Sequence, residues 1–191
     1  MLGARDGHFL FESGHHGSLW LDLDAMLWDP AAISFCLPAL AETVSGIGVD
    51  LIVGPLVGGA LLGYRIAELV GVPFTYAEPA GHDIEGLYSA RYQLPPAIRS
   101  RVRGRRVAIV DDVINAGSAV RAASSTVHAA GGETILITAL VRLGETALRH
   151  PDLVGVPVRT LATWPNTLWE PARCPDCARG VPLDKPGASR D

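Results

Sequence analysis

The chain has 191 residues, 48% hydrophobic and 19% charged, a composition that excludes a disordered chain or a collagen-like fibre and fits one domain with a real core. Its 16 basic and 20 acidic residues give a net charge of −4, which argues against a general nucleic-acid binder that neutralises phosphates. Lys185 is the only lysine, so any chemistry placed in the middle of the chain must draw its permanent positive charge from arginine.

The first residues, 1–6, lack a basic stretch followed by an apolar core, so no signal peptide is expected. No apolar run approaches the roughly 20 residues of a membrane-spanning helix. Cys36, Cys174 and Cys177 fit a reducing compartment better than a disulfide framework, and the expected location is cytoplasmic.

In chain order, residues 18–23 alternate as a half-exposed strand, and residues 49–55 form an apolar run that stops at a turn signal, the pattern of a strand buried on both faces. Residues 60–70 place Leu61, Leu62, Ile66, Leu69 and Val70 at helical spacing and end at Gly71; residues 72–76 are the next strand. From Glu78 to Arg105 periodicity is lost among Gly81, Gly86, Pro95 and Pro96, which predicts an active-site lid. A second strand-helix-strand unit follows: residues 106–110, then a helix over 118–130 closed by Gly131-Gly132, then a β-branched strand over 134–143.

This alternation predicts an α/β fold with a mainly parallel sheet flanked by helices and a ligand site just beyond Val53 and Val110. The expected layout is a single domain over 1–191 with its core at 31–156 and its lid at 78–105. The two ends, 1–30 and the Pro-, Trp- and Cys-rich 157–191, pack together as a small hood.

The segment 107–119 carries the densest chemistry. An apolar strand delivers Asp111 and Asp112 to its end, and the small-residue loop Asn115-Ala116-Gly117 leads into a helix N-terminus. Backbone N–H groups in such a loop, with the positive end of the helix dipole, make a phosphate site, and Ser118 can add a hydroxyl and cap the helix. Two carboxylates beside a phosphate demand hydroxyl groups or a cation opposite them. A ribose phosphate accompanied by magnesium satisfies both demands.

These residues resemble the phosphoribosyl-pyrophosphate (PRPP) motif of the type I phosphoribosyltransferases, and further segments are similar to the orotate phosphoribosyltransferases among them. One runs from Phe11-Glu12-Ser13-Gly14 through His15-His16-Gly17-Ser18 to Leu19-Trp20-Leu21-Asp22; another, Gly54-Pro55-Leu56-Val57-Gly58-Gly59, sits where that family has its pyrophosphate loop. The ending Leu168-Trp169-Glu170-Pro171, with Cys174 and Cys177 beyond it, resembles the tail of some members.

The resemblance implies a type I fold, a homodimer in which one subunit's lid covers the other's site, and magnesium. It also implies transfer of ribose 5-phosphate from PRPP to orotate, yielding orotidine 5′-monophosphate and pyrophosphate. It assigns Asp111 and Asp112 to the ribose hydroxyls. Val113, Asn115, Ala116, Gly117, Ser118 and Ala119 would cradle the 5′-phosphate, and Gly58 and Gly59 the pyrophosphate. Arg142 matches an arginine that meets the orotate carboxylate, for which a planar guanidinium is the natural partner; a solvated strand-end arginine is the ordinary alternative. Trp20 is a candidate base-binding residue beside Arg142, although Trp20, Trp164 and Trp169 suit packing of the hood better than stacking on a base.

Family members carry lysines in the lid, in the pyrophosphate loop and near the N-terminal Ser-Gly pair. This chain has none of them: Val57 and Gly58 stand in the loop, and the lid begins with Glu78. Departing pyrophosphate develops negative charge that positioned cations stabilise, so Arg91 takes that role first, ahead of Arg99, Arg101, Arg103, Arg105 and Arg106. His82, His15 and His16 rank below it. Two other functions keep the same motif: PRPP-dependent transfer to another nucleobase, and a non-catalytic PRPP-binding regulator. Finally, Cys174-x-x-Cys177 supplies two of the four ligands a structural zinc needs. With no histidine beside the pair in the sequence, the expectation is a reduced turn, and metal binding would require two chains to pool their thiolates.

Overall fold

A computed structural model describes residues 3–82 and 86–186. The N-terminal hairpin consists of β1 (Gly3–Leu10) and β2 (His16–Asp22), followed by the short α1 (Asp24–Trp28) and α2 (Pro30–Val44). The first parallel unit is β3 (Leu51–Pro55), α3 (Gly58–Val70) and β4 (Phe74–His82); then come β5 (Ala90–Gln93) and α4 (Arg99–Val102). The second unit is β6 (Arg106–Ile114), α5 (Ser118–Ala129) and β7 (Glu133–Leu143), and the chain closes through β8 (Val158–Trp164), β9 (Leu168–Trp169) and α6 (Pro175–Ala178). Among the described residues no helix is long and apolar enough to cross a membrane.

The main sheet has the order β5-β4-β3-β6-β7-β8, with β4-β3-β6-β7-β8 parallel and β5 antiparallel to β4. From β3 the chain winds to one side through α3 into β4, and from β6 it winds to the other through α5 into β7. The reversal lies between β3 and β6, and a crevice opens beyond the carboxyl ends of strands at such a point. One face of the sheet buries Leu40, Ile52, Leu62 and Ile66 with α2 and α3, and the other buries Ile109, Val127, Ile137 and Leu153 beneath α5. Full burial of an aliphatic side chain contributes about 1.5–3 kcal/mol, so these two layers fix β3 and β6 as a rigid floor for the crevice.

Three features differ from the sequence reading. Helix α2 was not anticipated, although Asp29-Pro30 is a start signal: Pro30 occupies the first turn, and the Asp29 side chain accepts a hydrogen bond from the Ala31 N–H at 2.9 Å. The lid is not an aperiodic loop but a hairpin of β4 and β5, pairing Glu78 with Gln93 and Pro79 with Tyr92. Residues 83–85 and the side chain of His82, both within the expected lid, lie outside the described residues. And the boundary at 157 assigned to the hood a strand that completes the core: β8 pairs in parallel with β7 from Val158 to Trp164. The hood itself is the three-stranded sheet β1-β2-β9, completed by a bridge from Phe9 to Asp184.

Candidate active site

Strand β6 carries Asp111 and Asp112 to the crevice, and the turn that follows starts α5. Gly117, with φ 85°, adopts the left-handed conformation a side chain resists, and a Cβ there would lie 2.9 Å from the Ala147 methyl. Helix α5 therefore begins at Ser118, and Gly117 rather than Ser118 occupies the N-cap, without a side-chain cap. This corrects the capping role expected of Ser118. Its hydroxyl is instead buried with no hydrogen-bond partner among the described residues, beside the amide groups of the first turn. An orphaned buried donor is costly, which marks this hydroxyl as a group able to take a ligand acceptor.

The same loop lines a cavity of about 190 Å³ running from Asn115–Ala119 past Asp111 to Phe11, Trp20 and Leu143. Asp111 is 6% exposed. Burial, and secondarily the neighbouring Asp112 carboxylate, hold its carboxyl well above the usual range. Asp111 Oδ1 accepts from the Asp112 N–H at 3.0 Å and Asp112 Oδ1 from the Val113 N–H at 2.7 Å. Against them stands the start of α3. A Cβ on Gly59 would lie 2.7 Å from both Asp111 Oδ1 and the Val110 carbonyl oxygen, and one on Gly58 would collide with the Asp112 carboxylate. The two glycines let the pyrophosphate-loop backbone touch the acidic pair.

The structure thus gathers Asp111, Val113, Asn115, Ala116, Gly117, Ser118, Ala119 and Trp20 around one cavity, with Asp112 just outside its lining and Gly58 and Gly59 against the carboxylates. Trp20 stacks on Phe11 with ring centroids 5.9 Å apart, packing the hood and walling the cavity at once. Arg142 and Arg91 fall elsewhere. Arg142 does not line the cavity; its guanidinium donates to Glu145 Oε1 at 2.7 Å and to the Gly144 carbonyl, while its neighbour Leu143 faces inward. Arg91 lines a separate groove of about 640 Å³ with Arg99 and Arg121. The next residue, Tyr92, lines the same groove, but its hydroxyl reaches across to donate to Glu12 Oε1, a residue of the cavity wall, at 2.9 Å. Burial and then the Glu12, Asp111 and Asp112 carboxylates push the Tyr92 phenol far above its ordinary pKa.

Sequence reasoning did not single out Glu12, Tyr88, Tyr92 or Arg121. Tyr88 anchors the lid tip to the hood and to α5: its N–H donates to the Ser13 carbonyl at 2.9 Å, and Arg121 Nη2 donates to its own carbonyl at 2.6 Å. Its ring packs edge-on against His15 and His150. None of these contacts has a local sequence signal beyond the Ser13-Gly14 pair. His15 and His16 also separate: His15 faces the lid tip, whereas His16 turns into the hood beside His8.

A parallel sheet with a carboxylate pair and a glycine-turned loop into a helix N-terminus at its switch point, beside a small antiparallel hood, is an arrangement suited to a phosphorylated sugar. The phosphoribosyl transferase domain family matches residues 36–171, and the chain belongs to it. The chain is 30% identical to the orotate phosphoribosyltransferase of Pelotomaculum thermopropionicum over 96% of its length and 90% of the relative. It is 28% identical to that of Caldanaerobacter subterraneus at the same coverages. Among solved structures, the adenine phosphoribosyltransferase of Thermoanaerobacter pseudethanolicus superposes with a TM-score of 0.65 at 25% identity, over 76% of this chain and 88% of that one. The orotate phosphoribosyltransferase of Aeropyrum pernix shares the fold, with a TM-score of 0.64 at 24% identity over 84% of this chain and 87% of that one.

Proposed function

We propose that this enzyme transfers the 5-phosphoribosyl group of PRPP to orotate, releasing pyrophosphate and forming orotidine 5′-monophosphate. The single observation that carries the reading is the unpartnered Ser118 hydroxyl at the mouth of the Asn115–Ala119 loop, directly beyond the Asp111-Asp112 pair. In this reading the loop amides and Ser118 hold the 5′-phosphate. Asp111 and Asp112 accept hydrogen bonds from the ribose hydroxyls and stabilise positive charge on the sugar as the bond from C1′ to pyrophosphate breaks and a bond to the base nitrogen forms. Gly58 and Gly59 admit the pyrophosphate, and Trp20 with Phe11 covers the base. Arg91, which lies outside this cavity in a groove with Arg99 and Arg121, would serve the departing pyrophosphate in the partner subunit's site, with one subunit's lid covering the other's cavity in a homodimer.

The donor set suits magnesium, since Asp111 and Asp112 present two adjacent hard carboxylates beside the phosphate loop. Asp111 and Asp112 would hold the ion through the ribose hydroxyls it shares, and the ion, when bound, neutralises pyrophosphate charge. A homodimer completes the proposal; Trp28 and Phe35, each 89% exposed, and Leu61 and Tyr64 offer an apolar surface on α1–α3. Cytoplasmic residence belongs to it as well.

One observation favours a second reading. The base end of the cavity presents Leu143 where a carboxylate-binding cation was expected, and Arg142 is engaged by Glu145, which suits a neutral nucleobase. A magnesium-dependent turnover assay with PRPP and a panel of bases separates the two. Turnover of orotate supports the first reading, turnover of a purine alone replaces it, and PRPP binding without turnover of any base refutes both.

A further inference from the structure

The hood holds a cluster that the transferase chemistry does not use. His8 on β1, His16 at the start of β2, and Cys174 and Cys177 around α6 each present one ligand atom, and all four atoms lie within 4.8 Å of one another. His8 Nε2 is 3.1 Å from His16 Nδ1, 3.3 Å from Cys174 Sγ and 3.7 Å from Cys177 Sγ; Cys177 Sγ is 3.3 Å from His16 Nδ1. A tetrahedral zinc, with Zn–N of about 2.0–2.1 Å and Zn–S of about 2.3 Å, sets ligand-to-ligand edges at about 3.3–3.8 Å. These four separations match such edges to within a few tenths of an ångström, and the remaining two, between Cys174 Sγ and the atoms of His16 and Cys177, lie within 4.8 Å. The histidines missing from the neighbourhood of Cys174-x-x-Cys177 in sequence are thus supplied from the opposite end of the chain, within one subunit, so four ligand atoms meet without two chains pooling their thiolates.

The tautomer agrees. His8 Nδ1 lies 2.9 Å from the Val181 carbonyl oxygen. A carbonyl only accepts, so Nδ1 carries a proton, and Nε2 is the ring nitrogen left to face the cluster as a ligand. A backbone partner on the far ring nitrogen is the arrangement that orients metal-bound histidines. His8, His16 and Cys174 are buried, each no more than 6% exposed, while Cys177 closes the cluster from the exposed side.

We infer that His8, His16, Cys174 and Cys177 form a zinc site that clamps the C-terminal segment onto the N-terminal hairpin. Four protein ligands leave no open position, so the site is structural rather than catalytic, and mixed imidazole and thiolate donors select zinc over magnesium. The topology shows what it secures. The C-terminal chain pairs with β2 through His16 and Trp169, crosses the hairpin, and pairs with the opposite edge through Phe9 and Asp184. With β9 only two residues long, so small a sheet needs a staple. The clamp also anchors β2 four residues before Trp20, which walls the cavity.

The test is metal content of untagged, reduced protein grown with zinc. The expected result is about one zinc per chain, with metal-stripped protein binding cobalt in an intense tetrahedral spectrum that includes thiolate charge-transfer bands. Cys177→Ser, at an exposed position, and His16→Asn each lose the metal, whereas Cys36→Ser keeps it. Stripping lowers the thermal midpoint but leaves ribose 5-phosphate affinity unchanged, because the phosphate loop belongs to the core. Substoichiometric zinc without cobalt bands, loss of metal in Cys36→Ser, a Cys174–Cys177 disulfide in reduced protein, or an unchanged midpoint would overturn the inference. Metal content is read without turnover, so the failure of the orotate reading and the failure of this one are distinguishable.

Discussion

Replacing Ser118 with alanine separates binding from folding. The hydroxyl is buried and unpartnered among the described residues, so its removal breaks no hydrogen bond of the ligand-free protein. A buried polar group without a partner costs about 1–3 kcal/mol; relief of even part of that makes the variant equal to or more stable than the parent. A gain of about 1 kcal/mol raises the midpoint by about 2–4 °C in a chain of this size. The ligand-bound state moves the other way. A hydrogen bond to a charged partner contributes about 1.5–3 kcal/mol, so affinity for ribose 5-phosphate should fall about 10- to 150-fold. Urea or thermal unfolding of the free protein and calorimetric titration with ribose 5-phosphate measure the two effects. A variant destabilised by more than about 1 kcal/mol, or one whose phosphate affinity is unchanged, would refute the assignment of this hydroxyl to the ligand.

Asp111→Asn tests the buried carboxyl. Because its folded pKa is raised, the native state retains a proton that the unfolded chain releases above about pH 4, so this group's contribution falls as pH rises from there toward the folded pKa. The variant should gain stability relative to the parent as pH increases from 4 to 7 while losing ribose-phosphate binding; a stability difference independent of pH would contradict the burial argument. Gly59→Ala places a methyl against Asp111 Oδ1 and the Val110 carbonyl oxygen, and overpacking of this kind costs about 1–3 kcal/mol. Urea unfolding should show that loss together with weaker PRPP binding, and a variant as stable as the parent would mean the backbones are not held this close. Arg91→Ala should lower turnover more than Arg103→Ala with little effect on stability, and the reverse ranking would move the pyrophosphate contact off the lid hairpin.

What the sequence determined by itself is everything carried by local pattern. Apolar runs ending at Pro55 and beyond Val110, with helices stopped by Gly71 and Gly131, write a parallel sheet whose switch point is occupied by Asp111, Asp112 and the small-residue turn to Ser118. Such a motif is legible because its residues are contiguous and each answers one backbone or charge requirement. The lone lysine, too, shifted attention to arginine, but not to where the arginines point. Whether Arg91 or Tyr92 reaches the cavity wall depends on the distant Glu12, and whether Arg142 or Leu143 does depends on the turn after β7, where Glu145 captures the guanidinium. The hood lay furthest from view. His8 and Cys174 are 166 residues apart in the chain and 3.3 Å apart in space, joined only because strand pairing on both edges of the hairpin folds the tail across it. Periodicity reports a neighbour three or four residues away; a four-ligand cluster assembled from both ends of the chain exists only once the ends have met.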